Sequence, residues 1–124
     1  MAGTVVIDTI KSSTTLPPTV QNTSGTEIGK FARAWVSWNS AGTIQASFNV
    51  SSVTKNGTGD FTANFSTAMA DALFTVNSSA YSEVTTGTYV PSNGARTTSS
   101  VRIATKGVNE GYYDPTYACI SVFR

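Results

Sequence analysis

Ser47–Phe65 reads SFNVSSVTKNGTGDFTANF. Apolar residues recur at every second position, a polar glycine-rich clump interrupts, and the alternation resumes. With the residues just before it, the first half places Ile44, Ala46, Phe48 and Val50 on one face and Gln45, Ser47, Asn49 and Ser51 on the other. A period of two is the mark of a half-buried strand. Lys55–Asp60, KNGTGD, supplies the turn: Asn56-Gly57 suits positions of positive φ, and Gly59 offers a second one. The chain then returns with Phe61, Ala63 and Phe65 inward and Thr62, Asn64 and Ser66 outward. The stretch predicts a hairpin with one apolar and one polar face.

The flanks extend this pattern. In ARAWVSWN, Ala34, Val36 and Trp38 point one way, while Arg33, Trp35 and Ser37 point the other. Ser40–Gly42 is a turn signal. Ser66–Ala72, STAMADA, is the only helix-prone run; it is too short for an isolated helix and reads as a corner. Leu73–Val84 resumes strand character, and Tyr89–Ser99, with Pro91 and Asn93-Gly94, reads as an exposed loop. Ser100–Gly107 is a strand, Val108–Pro115 a loop, and Thr116–Arg124, TYACISVFR, a final, centrally paired strand. Six to seven short, evenly spaced strands predict an all-β fold, an antiparallel β-sandwich over residues 30–124. No internal repeat is evident.

Residues 1–29 differ. TVVID suggests one short strand, and the following segment carries Pro17-Pro18, which favours an extended path. The segment is too poor in large side chains to form its own core. It nevertheless keeps Val5, Val6, Ile7, Ile10, Leu16, Val20 and Ile28, more apolar groups than a free tail usually carries. An extended N-terminal arm that straps onto another surface is expected.

Composition narrows the function. Charged residues make up 12% of the chain, about half the usual share of ~25%. Twenty threonines and sixteen serines replace them; Thr suits a pleated surface, and both solvate a sheet face without charge. Net charge is +1 and no two basic residues are adjacent. No electrostatic footprint for nucleic acid exists. No run reaches membrane-spanning length, and Met1–Ile10 is too polar for a secretory core. Synthesis in a cytoplasm and no membrane insertion are expected. Cys119, the single cysteine, lies in an apolar run and is expected to be a buried thiol. Five N-x-S/T sequons, at Asn22, Asn49, Asn56, Asn64 and Asn77, match the chance expectation for such a chain.

Catalytic chemistry finds little material. Histidine is absent, which removes the commonest general base and metal ligand. One cysteine without histidine cannot supply a zinc site. Seven carboxylates remain, and a glycosidase needs two of them across a cleft. Asp60 and Asp71 read as turn residues and Asp8 lies in the arm. Asn109, Glu110 and Asp114 offer oxygens to calcium, but their spacing matches no EF-hand loop. No cofactor is expected. Tyr112-Tyr113 are either a stacking pair on an exposed loop or a ring closing the end of the sandwich.

Ala34-Trp35-Val36, Ser47–Val53, Asn56–Asp60 and Asn64–Met69 together resemble a module of tail-fibre-like proteins of tailed bacteriophages, especially phages of aquatic bacteria. That family reads K-A-W-V-N-F-N-G, then S-F-N-V-S-S, then N-G-T-G-D-Y-T-x-N-F-T-T-A-M. Here Trp38 stands where Phe is usual and Phe61 where Tyr is frequent, and Leu73-Phe74 replaces Asn-Tyr. The resemblance implies a virion structural protein on the tail, usually a homotrimer, with no established catalytic residue. It implies host recognition by variable loops, which makes Tyr112, Tyr113, Tyr89, Asn93 and Arg96 candidate contacts to a host receptor, with surface glycan as the ligand considered. Trp35, predicted opposite the core-facing set, and Leu16, Val20 and Ile28 of the arm are candidate subunit contacts. The arm would join the module to other virion proteins. A head decoration protein that clamps capsid subunits is the alternative, and a carbohydrate-active enzyme the third reading.

Overall fold

The computed structural model describes residues 3–14, 16–82, 95–107 and 111–124, together with the backbone of 86–89. It divides into two units, Met1–Phe31 and Ala32–Arg124. The second is the sandwich. One of its sheets contains β3 (Ala34–Asn39), β4 (Ile44–Phe48), β7 (Thr75–Tyr81) and β10 (Tyr117–Phe123), in the order β4-β3-β10-β7. The other contains β5 (Val50–Gly57), β6 (Asp60–Phe65), β8 (Thr86–Tyr89) and β9 (Ser100–Gly107), in the order β5-β6-β9-β8. All pairings are antiparallel. The sandwich therefore has eight strands among the described residues rather than six or seven.

The two extra strands have identifiable origins. Ile44–Ser51 is not one strand. Asn49 adopts φ 54° and bends the chain between sheets, so that β4 and β5 lie in different layers. Its amide locks the corner, donating to the carbonyls of Arg33 (3.0 Å) and Thr67 (3.1 Å), while its side-chain oxygen accepts the Thr67 N–H at 2.7 Å. The short polar side chain of Asn makes the left-handed region accessible. Of the four residues expected on one buried face, only Val50 is buried; Ala46 and Phe48 are exposed. The other addition is β8, in the stretch between Val84 and Tyr89 for which no element was expected.

The predicted hairpin forms as β5–β6, with Phe61, Ala63 and Phe65 inward. Its turn is displaced by two residues from Asn56-Gly57. β5 continues through Gly57, which pairs with Asp60, and Gly59 takes the positive φ of 62°. Asn56 sits at a bulge and bonds Asp60 and Thr62.

The core lies between the sheets. Ala34, Val36 and Trp38 of β3 and Ala118, Ile120 and Val122 of β10 meet Phe61, Ala63 and Phe65 of β6 and Val101 and Ile103 of β9. Trp38 and Phe61 tie the layers with ring centroids 5.7 Å apart. Met69 and Phe74, from the corner that follows β6, cap one region of this core, Phe74 edge-on to Phe65. No helix forms at Ser66–Ala72.

The first unit carries a small hairpin, β1 (Val20–Gln21) with β2 (Glu27–Gly29), so the arm is not extended throughout. TVVID forms no strand. The hairpin turn, NTSGT at Asn22–Thr26, repeats in the sandwich as NSAGT at Asn39–Thr43. In each, the Asn side-chain oxygen accepts two backbone N–H groups and the glycine takes φ near 80°. Asn is suited to this because its side chain mimics a backbone acceptor. No helix of the described residues is long and apolar enough to cross a membrane.

Candidate functional site

The two outer faces of the sandwich differ in chemistry. On the β5-β6-β9 face, side chains satisfy one another. Asn64 donates to Ser52 (2.9 Å) and Thr54 (3.1 Å), Asn56 donates to Thr62 (2.9 Å), and Arg102 forms an ion pair with Asp60. The Arg102 hydrogen bonds hold the Asp60 carboxyl below the ordinary carboxylate range. Such a ladder is how a solvated sheet face without apolar content holds its side chains.

The β4-β3-β10-β7 face is different. Alternation puts Ala34, Val36 and Trp38 inward and Trp35 and Ser37 outward; on β10 it puts Ala118, Ile120 and Val122 inward and Cys119 and Ser121 outward. Register then builds rows across the sheet: Phe48–Trp35–Ser121–Asn77, next Ala46–Ser37–Cys119–Ser79, and next Asn39–Tyr117–Tyr81. Aromatic rings stand at both ends, with Phe48 (41% exposed) and Trp35 (39%) at one and Tyr117 (50%) and Tyr81 (66%) at the other. Small side chains form the floor between them. The result is a shallow trough of about 340 Å³ lined by nine residues, among them Trp35, Ser37, Asn77, Ser79, Cys119 and Ser121. A second depression of about 130 Å³ shares Ser37, Ser79 and Cys119 and ends at Tyr81 and Tyr117. No charged side chain lines either.

Cys119 corrects an expectation. It is exposed on this floor, 3.1 Å from the Ser79 hydroxyl, because TYACISVF alternates inward and outward despite its apolar appearance. Trp35 lies on the outer face, as its parity predicts.

Of the predicted receptor contacts, only Arg96, Tyr112 and Tyr113 have described side chains. Asn93 lies outside the described residues. Tyr89 is in β8, opposite Ala104, and its side chain also lies outside them. Arg96 was expected in an exposed loop. It is exposed and outside the strands, its backbone bridges to Val101, and its guanidinium donates to the Phe74 carbonyl at 3.2 Å. Tyr112 remains half exposed beneath the Lys106 ammonium, 5.2 Å from the ring centre. Tyr113 is partly buried, with its backbone fastened to Thr105: the Tyr113 N–H donates to the Thr105 carbonyl at 3.1 Å and the Thr105 hydroxyl donates back to the Tyr113 carbonyl. Of the subunit-contact candidates in the arm, Leu16, Val20 and Ile28 are exposed in their own unit.

Asp114, weighed as a calcium ligand, is otherwise engaged. Its carboxylate accepts the Gly59 N–H at 2.7 Å and pairs with Lys55 at 2.6 Å. Burial acts to raise its pKa; the Gly59 and Lys55 hydrogen bonds outweigh that and hold it below the ordinary value. Asp71 is likewise paired with Arg124, and Glu27 with Lys30. Every described carboxylate of the sandwich thus faces a cation. Among the described residues, no three His, Cys, Asp or Glu side chains gather around a possible metal position.

The chain matches no family model and no curated protein. Among solved structures it is similar to the phiAB6 tailspike, determined in complex with three-repeated oligosaccharides of Acinetobacter baumannii surface polysaccharide. The TM-score is 0.48 and the identity 12%, over 96% of this chain and 30% of that one. The chain therefore spans less than a third of the tailspike chain it matches.

Proposed function

We propose that this chain is a bacteriophage virion structural module of the tail-fibre type, one that binds the host cell surface without chemically altering it. The observation that carries the reading is the pairing of one self-satisfied polar face with one face that holds an aromatic-rimmed trough without charged lining. A surface of that kind holds a ligand, and among the described residues of the sandwich the carboxylates Asp60, Asp71 and Asp114 are each tied into an ion pair. The residues of the tail-fibre resemblance support it. Ala34-Trp35-Val36 place an aromatic ring on the outer face, Asn49 bends the chain between sheets, and Gly59 makes the hairpin turn. Three copies assemble through the apolar groups of the arm, Leu16, Val20 and Ile28, and the arm joins them to other virion proteins.

The test is competition. Purified full-length protein added before infection is expected to reduce phage adsorption, and immunogold against it is expected to decorate tails. Gold on capsids, with adsorption unchanged, would replace this reading with the head decoration protein.

A further inference from the structure

The trough on the β4-β3-β10-β7 face has the chemistry of a site for a neutral oligosaccharide, and we infer that it is one. The inference rests on the reading of the chain as a host-surface binder and gives that activity a location. A pyranose ring presents an apolar C–H face and an equator of hydroxyls, none of them charged. Its complement is an aromatic ring flanked by neutral donors and acceptors. Trp35 lines the larger depression, with Phe48 as its cross-strand neighbour, and the cross-strand pair Tyr117 and Tyr81 lines the adjoining smaller one, so rings stand at both ends. The ends are two rows of the sheet apart, about 14 Å at ~3.4 Å per residue.

Between the rings lie hydrogen-bonding groups that the fold leaves unused. The Ser37 and Ser121 hydroxyls and the Asn77 amide have no hydrogen-bond partner among the described residues, whereas Asn56 and Asn64 on the opposite face are each doubly engaged. Unused neutral donors and acceptors beside exposed rings suit a polyhydroxylated ligand. The volume of about 340 Å³ lies at the lower end of the ~300–1,000 Å³ range of small-ligand sites.

The same floor speaks against a second protein as occupant. Cores of protein interfaces are enriched in aromatic residues but depleted in serine, and here four of the nine residues lining the larger trough are serines. The missing charge excludes an anionic glycan as the preferred ligand, since no cation of the lining would meet it. A ligand held here stacks on Trp35, while the second tryptophan, Trp38, is fully buried and reports only on the core.

The experiment follows tryptophan emission of the full chain during titration with neutral hexasaccharides of glucose, galactose, mannose and N-acetylglucosamine. Ring stacking discriminates weakly among pyranoses, so a saturable response to at least one of the four is expected in the millimolar range. Trp35→Ala should abolish the emission change, so affinity is read by calorimetry, where a loss of about tenfold or more is expected for one aromatic anchor. Ser37→Lys, which leaves Trp35 in place, should weaken binding while near-ultraviolet circular dichroism stays native. No response to any hexasaccharide overturns the inference. So does a Trp35→Ala variant that binds sugar normally but dissociates into monomers, which assigns the face to self-association. If the wild type blocks phage adsorption and Trp35→Ala blocks it equally, the trough is not the site and the host-binding reading survives. If the wild type blocks nothing, that reading fails first.

Discussion

The Asp114 carboxylate accepts the backbone N–H of Gly59 at 2.7 Å, joining residues 55 positions apart in the chain. The Gly59 carbonyl in turn accepts the Thr105 N–H at 2.8 Å. The turn of the β5–β6 hairpin is thereby clasped between β9 and the loop that leads into β10. A side chain at position 59 has nowhere to go: a Cβ there would sit 2.6 Å from the Thr105 oxygen and 2.6 Å from the Tyr113 nitrogen, at a φ of 62° that favours glycine. Gly59→Ala is expected to destabilise the sandwich by about 2–4 kcal/mol, combining backbone strain with a broken clasp. Chemical denaturation of wild type and variant measures it; a loss under about 0.5 kcal/mol, the range of a neutral surface change, would show that the clasp is loose.

The same carboxylate gives a pH dependence with a definite sign. Asp114 and Asp60 both have pKa values lowered in the folded state. Their contribution is fully present above the unfolded carboxylate value of ~3.9 and is lost as pH falls through the lower folded values. Stability should therefore be flat from pH 7 to about 5 and decline below ~4. Asp114→Asn should flatten part of that acid decline and lower stability at pH 7 by about 1–3 kcal/mol, the size of a hydrogen bond to a charged group. Thermal melts across pH 2–7 read both effects; an identical acid limb in wild type and variant would remove Asp114 from the account.

Asn49 separates backbone from side-chain contributions. Asn49→Ala loses three hydrogen bonds and must hold a left-handed φ, and a loss of about 2–3 kcal/mol is expected. Asn49→Gly restores the conformational freedom but not the bonds, so it should recover part of that loss. If the two variants are equally stable, strain contributes nothing at this corner.

Cys119 offers a direct chemical test of the outer face. Its exposure predicts that the native protein reacts with a disulfide reagent such as DTNB at a rate within about tenfold of the unfolded chain. Protection by several orders of magnitude would mean that the trough is covered in solution. A hexasaccharide that occupies the trough should slow the reaction in proportion to its occupancy.

Much of this was legible in local pattern. Strict alternation in Ala34–Trp38 and Phe61–Phe65 named the core-facing residues correctly, because side chains of a strand leave opposite faces in turn. The central place of the final strand followed from its apolar content, confirmed by pairing on both sides with β3 and β7. Where the reading failed, alternation continued through a point at which the backbone did not. Ile44–Ser51 keeps its period of two across Asn49, so the sequence gives no sign that parity is reset there. Parity is in fact reset twice, at the register shift between Ile44 and Ala46 in the β3–β4 pairing and at Asn49, whose amide bonds Arg33 and Thr67, sixteen and eighteen residues away. The N-x-x-G-T turns at Asn22 and Asn39 were the overlooked local signal: their hydrogen bonds lie within five residues and follow from sequence alone.

What the sequence determined by itself is the material: strands, turn residues, scant charge and no histidine. Only the tertiary structure decided which of these side chains share a face. Trp35, Phe48, Tyr81, Tyr117 and the floor between them come from four strands scattered between Ala34 and Phe123, and cross-strand register alone makes them neighbours. Register depends on hydrogen bonds between distant segments, and no stretch of chain carries that information locally.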